Sequence, residues 1–371
     1  MVNGSPNTGR GSRVVVALSG GVDSAVAALL LKEQGWEVIG ITLRLYDEEI
    51  ERKDGRGCCG SEAVASAKRV AAALGIPLFV RDLRKEFNQL IIEHFCEEYL
   101  KGRTPNPCIR CNRLIKFPVL QRLARQLDAA FIATGHYARI KRDGNGLWHL
   151  YKGVDAEKDQ SYFLYTLTQE TMAHLLLPLG DLTKSAVREI AQRFGLPNSI
   201  RRESQDLCFI PDGDYVRFLK EHKAVTPRPG LVYDTEGNVL GEHQGIIEFT
   251  IGQRKGLKIA FGERRYVTRL EPERNAVILG RKEDVYQRVI KAKDASWVSG
   301  APITESFRCY SKVRYQGPGG WAVVEPLSKG LVQVVFDQPQ WAPTPGQAVV
   351  FYKGEEVIGG ATISSQLTAD S

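Results

Sequence analysis

Residues 14 to 35 constrain the fold more than any other stretch. VVVAL (14–18) is an apolar, β-branched run of strand length. It opens directly into SGGVDS (19–24), and VDSAVAALLLKEQG (22–35) then reads as a helix with Gly35 at its end. The alternation continues. EVIGITLRL (37–45) is the next strand, and Ser61 to Leu74 places Val64, Ala67, Val70, Ala71 and Leu74 at helical spacing. PLFVRDL (77–83) is a third strand. Phe87, Leu90, Ile91, His94, Phe95 and Tyr99 mark another amphipathic helix, and FIATGH (131–136) is a fourth strand running into a polar turn. Strands alternating with helices predict an α/β fold with a doubly wound parallel sheet, whose ligands bind at the carboxyl ends of the strands.

The chain is 371 residues long, enough for two or three domains. Its character changes after about residue 212. Residues 226 to 366 carry short β-prone runs between Gly and Pro turns, such as GLVYDTEGNVLGEH (230–243) and QAVVFYKGEEVIGGATI (347–363). The expected organisation is a flexible arm (1–12), an α/β catalytic domain (13–212), a small central domain (213–280) and a C-terminal β-barrel domain (281–371). No apolar run reaches bilayer length, and the first residues lack the apolar core of a secretory signal. A soluble cytoplasmic protein with no membrane partner is expected. The formal net charge of +7 suits a polyanionic partner without requiring one. The seven cysteines are Cys58, Cys59, Cys96, Cys108, Cys111, Cys208 and Cys309. Their odd number in a long chain argues against a secreted disulfide framework. That leaves core hydrophobes, metal ligands or nucleophiles.

SGGVDS has the composition of a phosphate cradle. Gly20 and Gly21 let backbone N–H groups close on an anion, the helix N-terminus adds partial positive charge, and Ser19 and Ser24 supply hydroxyls. Asp23 opposes a bare phosphate but can hold Mg²⁺. The Walker lysine is missing, so cleavage at a γ-phosphate is not indicated. The bland alternative is a glycine turn with an aspartate at a helix start. TPNPCIRCNR (104–113) is more open. Its CxxC pair, Cys108 and Cys111, fits half a zinc site, a redox pair, a cluster site or a nucleophile with a helper. Arg110, Arg113 and Lys116 can lower a thiol pKa and neutralise phosphates.

SGGVDS matches the PP-loop of ATP pyrophosphatases. KGRTPNPCIRCNRLIKF (101–117), ATGHYAR (133–139), KDQSYFLYTL (158–167), CFI (208–210), GEHQG (241–245) and IGQRKGL (251–257) follow in order. Together they resemble the bacterial tRNA-specific 2-thiouridylase family. The resemblance covers nearly the whole chain from Val14. It implies replacement of the 2-oxygen of the tRNA wobble uridine by sulfur, using ATP, Mg²⁺ and a persulfide relay. ATP would lie on Ala17, Leu18, Ser19, Gly20, Gly21, Val22, Asp23 and Ser24, with Leu43 near the adenine and Gly135 also in contact. Cys111 matches the nucleophile and Cys208 the persulfide carrier, the two passing through a disulfide. Asn106, Pro107 and Cys108 match the contact with the target base. Lys158, Asp159, Gln160, Arg314 and Tyr315 match further tRNA contacts. Implied partners are wobble-uridine tRNAs for Glu, Gln and Lys, and a sulfur donor such as a cysteine desulfurase or sulfur carrier. TPNPCIRCNR is then expected to be a mobile loop, with its prolines denying a helix before Cys108.

The sequence departs from the family pattern at Cys108, where many members carry Asp in an acid/base role. Cys108, Cys111 and Cys208 can be read as three ligands of a [4Fe–4S] cluster, as a plain persulfide relay with Cys108 spare, or as part of a zinc site. No second CxxC or CxxH stands at normal zinc spacing. Cys96 and Cys309 are expected in cores, Cys58 and Cys59 in a loop outside the relay, and His136 is given no catalytic role. Two rivals stay open: a PP-loop synthetase acting on a small molecule, and a non-catalytic tRNA-binding protein. A monomer is the default.

Overall fold

The computed structural model describes residues 11–46, 61–197, 207–223, 227–257, 264–328 and 330–364. Cys58, Cys59 and most of the N-terminal arm lie outside them. The run VVVA becomes β1 (Arg13–Ala17), which pairs in parallel with β2 (Glu37–Arg44), while β2 pairs with β3 (Leu78–Asp82). On its other side β1 pairs in parallel with β4 (Phe131–Ala133). The alternation of side chains along a strand splits β1 between two cores. Val14 and Val16 face one core with α1 (Val22–Glu33) and α2 (Ser61–Leu74), and Val15 faces the other. Helix α1 is covered on nearly all sides, lying between the sheet and the helix Lys184–Arg193, so its weak amphipathicity follows from its position.

Two elements differ from expectation. Residues 138–152 form a hairpin, β5 (Ala138–Arg142) and β6 (Trp148–Lys152), before the chain returns to the parallel sheet as β7 (Leu175–Leu176). The hairpin leaves its own domain and extends the C-terminal barrel. In addition, residues 107–126 are one helix, with a π-type turn at Asn112–Lys116, and not a mobile loop. Asn106 caps it, its Oδ1 accepting from Ile109 N at 3.2 Å, and Pro107 takes the first helical position, where a missing N–H and a fixed φ are no handicap. The prolines start this helix instead of preventing it.

The central region forms a four-stranded sheet of β8 (Gly230–Asp234), β9 (Val239–His243), β10 (Tyr266–Glu271) and β11 (Ala276–Gly280), with its own small core of Val232, Phe249, Val267, Val277 and Leu279. The last six strands are β12 (Tyr286–Trp297), β13 (Phe307–Lys312), β14 (Gly320–Pro326), β15 (Val332–Trp341), β16 (Ala348–Lys353) and β17 (Glu356–Ile363). They run β12-β15-β14-β13-β16-β17, and pairing of β12 with β17 closes the barrel. Closure removes the exposed edges an open sheet would leave. β6 then pairs with β17 through Tyr151↔Glu356 and Leu150↔Val357, tying the α/β domain to the barrel. One continuous core holds Val15 and Phe95 of the first domain, Ile247 of the central region, and Val350, Tyr352 and Val357 of the barrel. No helix among the described residues is long and apolar enough to cross a membrane.

Candidate active site

The loop after β1 is shaped by short-range contacts. Ser24 Oγ accepts from Ser19 N at 3.2 Å and donates to Gly21 O at 3.0 Å, closing the turn on itself. Gly20 has φ +76°, a left-handed conformation open to glycine, and a Cβ there would stand 2.5 Å from Ala63 O. Ser66 Oγ donates to Gly20 O at 2.9 Å, and Thr42 Oγ1 donates to Leu18 O at 2.8 Å. No side chain caps α1 at Gly21, so its first N–H groups have no capping acceptor from Gly21. A turn shaped in this way, at the carboxyl end of a parallel strand, fits a triphosphate. Leu43, near the end of the neighbouring β2, is buried.

The ATGH turn closes over the loop. A Cβ on Gly135 would lie 2.8 Å from Asp23 C and 2.9 Å from Ser24 N, so glycine is required by close approach. Tyr137 OH donates to Asp23 Oδ1 at 2.7 Å, and Lys184 Nζ donates to both Asp23 oxygens at 2.6 and 2.8 Å. His136 Nδ1 pairs with Thr134 Oγ1 at 2.7 Å. Burial, and then the charge of Lys116, hold the His136 imidazole well below its usual pKa, so it is neutral near pH 7. Its ring lies 6.0 Å from that of Phe117. The helix that begins at the CxxC pair therefore lies against the turn that touches the phosphate loop.

Cys108 and Cys111 sit on the first turn of the 107–126 helix, three residues apart and so on adjoining positions of one face. Cys108 is exposed and Cys111 half-buried. Arg110 Nε donates to Leu90 O at 2.6 Å, fastening this turn to the helical stretch 84–100. The Cys208 turn is anchored on the same stretch: Phe209 is buried with its ring 5.7 Å from Phe87 and 5.2 Å from Phe95. Cys111 and Cys208, 97 positions apart in the chain (208 − 111), both pack on one apolar core. Cys96 and Cys309 are buried core residues, and burial pushes the Cys96 thiol up to about 11.

Asn112 Nδ2 donates to Phe163 O at 3.1 Å, and the Phe163 ring packs 4.4 Å from Tyr315. Asp159 accepts from Gly153 N, Ser161 N and Ser161 Oγ, and Gln160 Oε1 accepts from Tyr137 N at 3.0 Å. Lys158 N donates to Asp155 Oδ1 at 3.3 Å. The 158–160 segment thus lies beside the ATGH turn, and Tyr315 lies near the cysteine helix. Arg314 takes a different place. Its guanidinium points inward, donating to Ala342 O at 2.9 Å, Thr344 Oγ1 at 3.1 Å and Ile251 O at 3.3 Å. The approach to Asn106 is held by the barrel: Thr104 N donates to Pro345 O at 2.8 Å, and Gln347 Nε2 donates to Thr104 O at 3.0 Å.

Among the described residues, no three His, Cys, Asp or Glu side chains stand close enough to share a metal ion. Cys108, Cys111 and Cys208 all lie within that set and so do not fit an iron cluster or a zinc site in this conformation. Lys184, Tyr137 and Gln347 were not singled out in the sequence. A lysine opening a helix, against the dipole, was the one available signal for Lys184.

A strand, a lysine-free glycine loop and a helix, closed by a second glycine turn against which the cysteine helix packs, give the architecture of a PP-loop nucleotide enzyme. The family models agree. A tRNA methyl transferase HUP domain matches residues 12–212, a tRNA methyl transferase PRC-barrel domain residues 216–281, and an aminomethyltransferase β-barrel domain residues 287–363. Curated relatives named tRNA-specific 2-thiouridylase MnmA are 48% identical in Carboxydothermus hydrogenoformans, over 96% of this chain and 98% of the relative. The identity is 50% in Moorella thermoacetica, over 95% and 99%, and 47% in Geobacter metallireducens, over 96% and 98%. The chain belongs to the MnmA family of tRNA-specific 2-thiouridylases.

Proposed function

We propose that this protein is an ATP-dependent tRNA sulfurtransferase that exchanges the 2-oxygen of the wobble uridine for sulfur. The uridine O2 attacks the α-phosphorus of ATP and pyrophosphate leaves. Asp23 is the loop carboxylate that would hold Mg²⁺ alongside its bonds to Tyr137 and Lys184, and the ion would shield the phosphate charge. The adenylated oxygen is then a good leaving group. The terminal sulfur of a Cys208 persulfide attacks C2, and AMP departs with the oxygen. Cys111 thiolate attacks the Cys208 sulfur. The S–S bond to the base sulfur breaks, leaving the thiocarbonyl on the tRNA and a Cys111–Cys208 disulfide, which two electrons from a thiol reductant reopen. A sulfur donor such as a cysteine desulfurase or carrier reloads Cys208, and the substrates are the wobble-uridine tRNAs for Glu, Gln and Lys.

One observation carries this proposal: the ring contact of Phe117 with His136 joins the cysteine helix to the turn that touches Asp23 and Ser24. Cys108 is exposed at the start of that helix, beside half-buried Asn106 and buried Pro107, and a flipped-out base can approach it there. A relay of thiols is favoured over a cluster because the three cysteines do not form a ligand set. Incubation of the protein with ATP, tRNA, a persulfide donor (a cysteine desulfurase supplied with cysteine) and a thiol reductant tests it. The expected products are AMP, pyrophosphate and 2-thiouridine, all dependent on tRNA. Pyrophosphate release without tRNA would favour a small-molecule synthetase. Activity that requires anaerobic reconstitution with iron would restore the cluster.

A further inference from the structure

The helix Lys184–Arg193 opens with a lysine although a helix N-terminus favours acidic side chains. This lysine is only 7% exposed, and both oxygens of Asp23 accept from its Nζ. Its place is fixed from the backbone as well. Lys184 N donates to Asp155 Oδ2 at 2.8 Å, and Thr183 Oγ1 accepts from Ala186 N at 3.3 Å. Tyr137, which also donates to Asp23, lies with its ring centroid 5.8 Å from Nζ. Withdrawing an ion pair from water costs desolvation, so such a pair is weak support for stability alone. Its location suggests another role. Asp23 stands in the first turn of α1, the helix end whose N–H groups face the phosphates, and its negative charge opposes a triphosphate there.

We propose that Lys184 is a positioning residue of the nucleotide site: it neutralises Asp23 and holds it against Tyr137, keeping the first turn of α1 receptive to a triphosphate. It supplies from 161 positions away the cation that this glycine loop lacks. The inference rests on the ATP site proposed above. It assigns Lys184 no bond to substrate.

Calorimetric titration of the full chain with ATP in EDTA, without tRNA, separates the two ideas. Lys184→Met should weaken metal-free ATP binding about tenfold, the factor that about 1.4 kcal/mol represents. Asp23→Asn should have the opposite sign and tighten it, by roughly threefold, because the lysine is then left facing the phosphates. The double variant should return to within about threefold of wild type. A wild type that binds no ATP in EDTA overturns the role of Lys184, and one that also binds none with Mg²⁺ refutes the nucleotide site itself. A wild type that binds, with Lys184→Met unchanged or with both single variants weakened alike, overturns the role of Lys184, since a plain structural strut would weaken both. If Lys184→Met does not fold, Asp23→Asn decides alone: tighter binding supports the proposal, unchanged or weaker binding overturns it.

Discussion

The backbone of the phosphate loop is shaped by near neighbours, with Ser66 reaching Gly20 from 46 positions away. The approach to Cys108 is shaped by the far end of the chain, Gln347 reaching Thr104 across 243 positions. The first arrangement can form as soon as a few strands and helices pair. The second needs the barrel to close and dock, because Thr104 N donates to Pro345 O. Nucleotide binding should therefore tolerate damage to the barrel contacts, and base positioning should not.

The largest expected effect breaks the nucleotide half. Gly135→Val drives a side chain into the backbone of Asp23 and Ser24, and a displacement of that size should weaken ATP binding by at least about a hundredfold in calorimetry. Next, Gln347→Ala removes its hydrogen bonds to the Thr104 and Pro105 carbonyls, each worth about 1 kcal/mol. It should lower the thiolation rate roughly threefold to tenfold with ATP affinity unchanged, measured by steady-state thiolation beside ATP titration. An equal loss of ATP affinity would erase the distinction between the two regions.

A smaller effect probes the seam where β6 meets β17. His149 Nδ1 pairs with Glu356 at 2.6 Å, and Asp143 lies 3.4 Å from Nε2. The Glu356 hydrogen bond, followed by that of Asp143, raises the folded-state pKa of His149. A raised histidine pKa contributes stability that is fully present below the unfolded value, near 6.5, and is lost as pH rises through the folded value. The melting temperature of wild type should exceed that of His149→Gln at pH 6, and the gap should narrow toward pH 8. A gap that widens with pH would contradict the pairing. The smallest effect is a control: Cys96→Ala should leave tRNA thiolation within about twofold of wild type, since this thiol is fully buried in the core and its loss should affect stability alone.

The parallel sheet was legible because its strands are short apolar runs and its helices keep their spacing, and SGGVDS was legible because glycine, serine and aspartate there act through their own backbone. The β5–β6 hairpin was not legible. Its strands ARIKR and WHLYK are basic and half-exposed, and their partner β17 is remote in sequence. The start of the cysteine helix is hard to see in the sequence because proline usually breaks a helix, whereas Pro107 occupies the one helical position that suits it. Lys184 is hidden because its meaning lies wholly in Asp23, and the resemblance that matches Arg314 to a tRNA contact gives no sign of its carbonyl partners on the barrel and the central region. Pairings set by tertiary distance leave little trace in a local pattern.

The central claim is that one site carries out two separable steps, adenylation at the phosphate loop and sulfur delivery by Cys208 with Cys111. It is tested most directly by following pyrophosphate and 2-thiouridine together in Cys208→Ser and Cys111→Ser, with ATP, tRNA, a cysteine desulfurase supplied with cysteine as persulfide donor, and a thiol reductant. The account predicts no 2-thiouridine from either variant, and a tRNA-dependent burst of pyrophosphate that survives in both. Thiolation at the wild-type rate in either variant, or loss of the burst along with the sulfur, would contradict it.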